Sequence, residues 1–152
     1  MKRNLILVFL LLFLCGGQAF AGNPLAKEGY VGNVSLSVVP RPGLVGVDIT
    51  TSHGYSFGNG LWMGGGVGAS ITFESDGILL PFFAEAKYSF MPDRKASPFI
   101  DCRVGYMTNF EATYLFFSPM AGVDINRFSV FVQFYTKWAV APILSMGAAF
   151  NF

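Results

Sequence analysis

His53 is the one histidine of the chain, and it sits between serines in "TTSHGYS", residues 50–56. A serine hydroxyl beside an imidazole is the minimum for an activated nucleophile and its base. Ser52, His53 and Ser56 are therefore the first candidates for chemistry. Neighbours in a strand point to opposite faces, which parts Ser52 from His53 and leaves His53 as a turn-proximal or interfacial residue. "GGGVGAS" (64–70) has the look of a phosphate-cradling loop but lacks the Lys-Ser/Thr of a P-loop. Cys102 is the one cysteine outside the first 21 residues. With a single histidine as well, neither a protein-built zinc site nor an internal disulfide is expected. No catalytic, cofactor-binding or metal-binding residues are assigned, and no enzymatic activity is expected. "NVS" (33–35) is a glycosylation sequon by letters only.

Charge at strand-like spacing is a second kind of candidate. Glu85 and Lys87 stand two apart, as do Asp101 and Arg103. A hairpin turning around "PDRKA" (92–96), with paired positions summing to 188, sets Glu85 opposite Arg103, Lys87 opposite Asp101 and Met91 opposite Ser97. Opposite charges facing across a strand pair stabilise it. A slip of one residue would turn one strand's charges to the other face. Asp48, Glu74, Asp124, Gln133 and Lys137 fall on the same kind of polar face. These residues are expected to fill an interior with paired charge, because unpaired buried charge is costly.

The elements that must carry them are strands. Turn signals recur at 40–43, 57–60, 74–77, 91–98, 108–112, 124–127 and 141–142. They leave segments at about 30–39, 44–57, 61–73, 78–91, 98–107, 113–124, 128–140 and 143–152. Each alternates with period two. Val34, Leu36 and Val38 oppose Asn33, Ser35 and Ser37; Ile100, Cys102, Val104 and Tyr106 oppose Asp101, Arg103 and Gly105. The segment at 113–124 alternates least cleanly. Gly64, Gly66 and Gly68 lie on a polar face and are expected to give long lumen side chains room.

Composition decides which face is inside. The chain is 53% hydrophobic, 16% aromatic and 12% charged, where about 25% charged is usual. The polar faces carry Gly, Ser and Thr rather than the Lys and Glu of a water-facing surface. Aromatics gather near strand ends (Tyr30, Phe57, Phe73, Phe90, Tyr106, Phe116, Phe128, Trp138), as in an interfacial girdle. Strands that cross lipid must close into a barrel. The expected fold is all-β, an eight-stranded antiparallel up-and-down transmembrane β-barrel, apolar outside and polar inside, rather than a lipocalin-like soluble barrel with the reverse polarity.

The start of the chain fits export. Lys2 and Arg3 precede the apolar run 5–14, and Ala19 and Ala21 supply an A-x-A site, so residues 1–21 read as a signal peptide removed after Ala21 and 22–152 as one barrel domain. The run is short for a membrane-spanning anchor helix. Cys15 offers lipoprotein acylation instead, although Leu14 is bulky for that signal. Without Lys2 and Arg3, eight basic residues face nine acidic ones, so nucleic acid is not an expected partner.

"SMGAAFNF" (145–152) resembles the C-terminal β-signal of bacterial outer-membrane proteins, with Ser145, Gly147, Phe150 and Phe152 in its places. Residues 22–152 as a whole resemble small eight-stranded barrels of the OmpX and OmpA-transmembrane kind, in the outer membrane protein β-barrel domain family. The stretch 80–107 looks like that family's central hairpin. The resemblance implies the outer membrane as location. The implied partners are outer-membrane lipid and lipopolysaccharide, with the secretion apparatus and barrel-assembly machinery during biogenesis, and a monomer is implied. It fixes activity poorly. A structural or envelope role with a filled lumen is favoured over a porin. Short outer loops (40–43, 74–77, 108–112, 141–142) count against an adhesion protein. The placement of His53 counts against a lipid A-modifying enzyme.

Overall fold

A computed structural model describes residues 22–41, 44–72, 78–137 and 143–152. Eight strands follow a short 3-10 turn at Pro24–Ala26: β1 (Glu28–Arg41), β2 (Leu44–Phe57), β3 (Leu61–Thr72), β4 (Ile78–Ser89), β5 (Ala96–Thr108), β6 (Thr113–Ile125), β7 (Phe128–Lys137) and β8 (Ile143–Asn151). Each pairs antiparallel with the next, and β8 returns to β1, so the sheet is a closed barrel. The chain enters and leaves at one end, here called the proximal end. The connections after β1, β3, β5 and β7 lie at the distal end.

Alternation builds the two surfaces. Along β1, Val34, Leu36 and Val38 lie exposed on the outer wall while Asn33, Ser35 and Ser37 are buried. The same switch runs through β4, where Phe82, Ala84, Ala86 and Tyr88 face out and Glu85, Lys87 and Ser89 face in. An exterior of exposed Val, Ile, Leu, Met and aromatic side chains around a polar interior is the polarity of a membrane-spanning barrel. Tyr30, Phe57, Phe90, Tyr106 and Phe128 are exposed near strand ends as the girdle reading expects. Phe116 is not: it is 2% exposed and lies inside. Its parity explains this, since it stands two residues from the inward Ser118. Phe73 and Trp138 lie outside the described residues.

Closure is set by the β1–β8 pair, in which Val34 faces Phe150 and Ser37 faces Gly147. Beyond it, Gly32 and Phe152 exchange backbone hydrogen bonds of 2.9 and 2.8 Å. The Phe152 ring lies over Gly32, where a Cβ would come within 2.6 Å of it. A side chain at position 32 would displace the Phe152 ring from this place on the outer wall.

Candidate functional site

The β4–β5 hairpin has the register that sums to 188. Glu85 pairs with Arg103 and Lys87 with Asp101, and the Met91 amide donates to Ser97 Oγ at 2.9 Å beyond the ladder. All four charged side chains are 7% exposed or less. Arg103 Nη2 donates to Glu85 Oε1 at 2.9 Å and Nη1 to Thr50 Oγ1 at 3.3 Å. Its guanidinium lies 4.8 Å from the centre of the Phe83 ring. Ser52 Oγ donates to the second oxygen of Glu85, and Ser35 and Thr50 share a hydroxyl contact of 2.5 Å. Glu85 is thus held by a cation and a hydroxyl, the compensation that a buried carboxylate requires.

Lys87 behaves differently from the expected direct pair with Asp101. Its Nζ reaches Asp124 Oδ1 on β6 at 2.7 Å and Ser129 Oγ on β7 at 3.3 Å. The strands of a small barrel tilt against its axis, and inward side chains converge on that axis. A long side chain can therefore meet a group two strands away more readily than its ladder neighbour. Asp124 also accepts from Ser129 at 2.6 Å and from Ser89 at 3.3 Å. Asn151 donates to Ser129 at 2.9 Å. Lys87 rests 4.0 Å from the centre of the Phe99 ring.

Asp101 points into the lumen with its Oδ1 unpartnered among the described residues, as are Asp48 Oδ1, both amide atoms of Gln133 and the Ser145 hydroxyl. Asp48 and Gln133 lie beside Tyr135 on the distal side of the Arg103 cluster. Glu74 lies outside the described residues. Lys137 ends β7 opposite Phe116. Ser145 and Gly147 face the lumen side of β8, while Phe150 is half-buried and Phe152 exposed.

Apolar layers that the face assignment overlooked complete the filling. Val39, Phe83, Met107, Phe116 and Tyr135 pack together toward the distal end. Phe99, Met120 and Phe131 pack near the middle, and Leu25, Val31 and Trp62 at the proximal end. Their signal was present in the strand parity: Phe83 shares its face with Glu85, and Phe131 with Gln133. The void among Asn33, Glu85, Lys87, Asp101, Arg103 and Ser129 measures about 10 Å³, room for about one water molecule.

The strand-3 glycines serve these aromatics more than the long charged chains. A Cβ on Gly66 would lie 2.5 Å from the Phe83 ring, and one on Gly64 would lie 2.7 Å from the Trp62 ring. Backbone oxygens of Thr51 and His53 approach the same two positions closely. Phe83 in turn carries Arg103 on its face, so the effect on the charge network is indirect.

The Ser52–His53 dyad is not assembled. Ser52 is fully buried against Glu85, whereas His53 is exposed on the outer wall. The imidazole Nδ1 meets the Tyr30 hydroxyl, Nε2 meets Thr51 Oγ1 at 3.1 Å, and the Phe152 ring packs edge-on at 6.2 Å. His53 is a member of an aromatic cluster across the closure seam.

No protein-family profile and no curated protein matches the chain. A solved structure described as "De novo design of transmembrane beta-barrels" is similar over 83% of this chain and 98% of its own, with a TM-score of 0.54 and 16% sequence identity. The fold is that of a transmembrane β-barrel. That likeness concerns the strand arrangement alone, since few residues are shared.

Proposed function

We propose that the chain is an integral outer-membrane barrel of structural or envelope-supporting role, monomeric, with a lumen plugged by side chains rather than open as a pore. The carrying observation is the filled interior. Two buried ion pairs, Glu85–Arg103 and Lys87–Asp124, lie between apolar layers, and the void among Asn33, Glu85, Lys87, Asp101, Arg103 and Ser129 is only about 10 Å³. Eight strands leave a bore that side chains can fill.

Outer-membrane lipid and lipopolysaccharide are the partners that suit the apolar wall. The OmpX-like and OmpA-like resemblance and the β-signal pattern at Ser145, Gly147, Phe150 and Phe152 support delivery by the barrel-assembly machinery. In this reading the secretion signal is removed after Ala21. The distal connections Arg41–Leu44, Thr72–Ile78, Thr108–Thr113 and Lys137–Ile143 are short, which favours an envelope role over ligand capture by loops.

Cell fractionation, with envelope permeability compared in cells with and without the protein, tests the proposal. The expected result is recovery with the outer membrane and a change in detergent or dye resistance on deletion. Recovery as a soluble periplasmic protein would overturn it.

A further inference from the structure

Residues 23–26 do more than lead into β1. They fold inward across the proximal mouth of the barrel. Asn23 caps the 3-10 turn, its Oδ1 accepting from the Leu25 amide at 3.0 Å, and Pro24 begins the turn as the first-turn preference for proline expects. The same Asn23 side chain donates to Ser89 Oγ on β4 at 3.2 Å and to Asp124 Oδ2 on β6 at 3.3 Å. Leu25 is 2% exposed and packs with Val31 on β1 and Trp62 on β3. The Leu25 carbonyl accepts from the Gly60 amide at 3.3 Å and from Ser56 Oγ on β2 at 3.4 Å.

These contacts draw on β1, β2, β3, β4 and β6 at once. Such a set of partners exists around one segment only when the sheet has curled into a barrel. Before closure, Ser89 and Asp124 stand on strands separated by β5, and nothing orients both toward Asn23. The turn at 58–60, which continues the β3–β4 ladder by one rung, supplies the seat for the Leu25 carbonyl. Gly60 holds φ at +87°, and its carbonyl accepts from the Ser89 amide at 2.9 Å. A Cβ there would collide with the Ser89 carbonyl oxygen. Glycine is therefore needed to bring the turn against β4 and under the Leu25 carbonyl.

We infer that residues 23–26 are a cork that seats after barrel closure and seals the Lys87–Asp124 cluster from water at the proximal end. Asn23 couples the cork to that cluster, because Asp124 takes Lys87 on one oxygen and Asn23 on the other. Leu25 supplies the apolar stopper beside Trp62. With the cork seated, Ser97 and Ser129 beneath it are buried, at 0% and 1% exposure. With the cork out, both lie near the open mouth. Local openings of this kind are governed by the contacts of the opening segment and need no global unfolding.

The test is thiol protection in the full chain, folded in detergent or in a bilayer. Cys15 and Cys102 are replaced by serine, and Ser97→Cys is the reporter, since Ser97 bonds to Ser89 and the Met91 amide and makes no hydrogen bond to Asn23 or Leu25 among the described residues. A charged, water-soluble thiol reagent then reports access from the aqueous side. The expected result is slow labelling with the cork intact, and labelling faster by about tenfold or more in Asn23→Ala/Leu25→Ala, because the stopper contacts hold the opening equilibrium. Resistance of the folded band to SDS, measured on the same samples, establishes that the barrel is closed. Should the double variant fail to close, Leu25→Ala alone supplies the comparison. During refolding, the SDS-resistant band should form before the reporter thiol becomes protected. Equal labelling rates with and without the cork in a closed barrel would overturn the seal. Protection of the reporter thiol ahead of closure would overturn the order.

Discussion

Replacing Arg103 with alanine should be among the most damaging single changes in the lumen, and the structure gives its size relative to the partner change. Arg103→Ala removes the 2.9 Å ion pair to Glu85, the bond to Thr50 and the stacking on Phe83. It leaves Glu85 buried with the Ser52 hydroxyl still bound but its cation gone, and Asp101 close by loses its nearest guanidinium. Breaking a buried pair by removing one partner costs about 3–5 kcal/mol, and that range is the expected loss. Glu85→Ala is milder. Arg103 keeps Thr50, the Phe83 ring and the neighbouring Asp101, so the loss should be about 1–3 kcal/mol. The double variant should lie well short of the sum, with a coupling of about 1.5–3 kcal/mol. Urea unfolding in lipid vesicles, followed by tryptophan fluorescence and by loss of the SDS-resistant band, measures all four corners of the cycle. A coupling below about 0.5 kcal/mol, or Glu85→Ala more damaging than Arg103→Ala, would refute the assigned network.

Lys87→Ala should destabilise less than Arg103→Ala, because Asp124 keeps donors from Ser129, Ser89 and Asn23; equal losses in the same unfolding assay would contradict that compensation. Gly66→Ala should destabilise by about 1–3 kcal/mol, since its Cβ would lie 2.5 Å from the Phe83 ring and 2.5 Å from the Thr51 carbonyl; a melting temperature unchanged from the parent would show that this face has slack. Deleting Phe152 should slow assembly into the membrane more than it lowers the stability of assembled barrels. Unchanged assembly kinetics in cells would argue that the β-signal pattern is accidental.

Most of the barrel is written in local alternation. Period two is a backbone property, so β1 through β8 and their outward faces can be read from runs such as residues 34–38 and 100–106. The register of β4 against β5 is legible for a related reason. Four charges in two spaced pairs leave few registers that keep them all on one face. The partner of Lys87 is not legible this way, because it depends on how far strands β4 and β6 bring their side chains toward a shared axis. Ladder position does not encode that distance. The inward aromatics were legible but masked by the assumption that one face is polar throughout. Phe83, Phe116 and Phe131 stand in the same parity as Glu85, Ser118 and Gln133, so a strict parity count finds them. The cork at 23–26 has a signal as well, an Asn cap followed by Pro. Where such a short turn docks is a tertiary fact, settled by Ser89, Asp124 and Trp62 from three different strands.

Planar-bilayer recording of the purified protein tests the filled lumen most directly. The ion pairs and the Phe83–Phe116–Tyr135 layer predict a silent membrane, without stable steps at either polarity. A Phe83→Ala/Phe116→Ala/Tyr135→Ala variant, if it retains the SDS-resistant band, serves as a widened comparison. Stable single-channel steps of porin size from the parent protein would contradict the account.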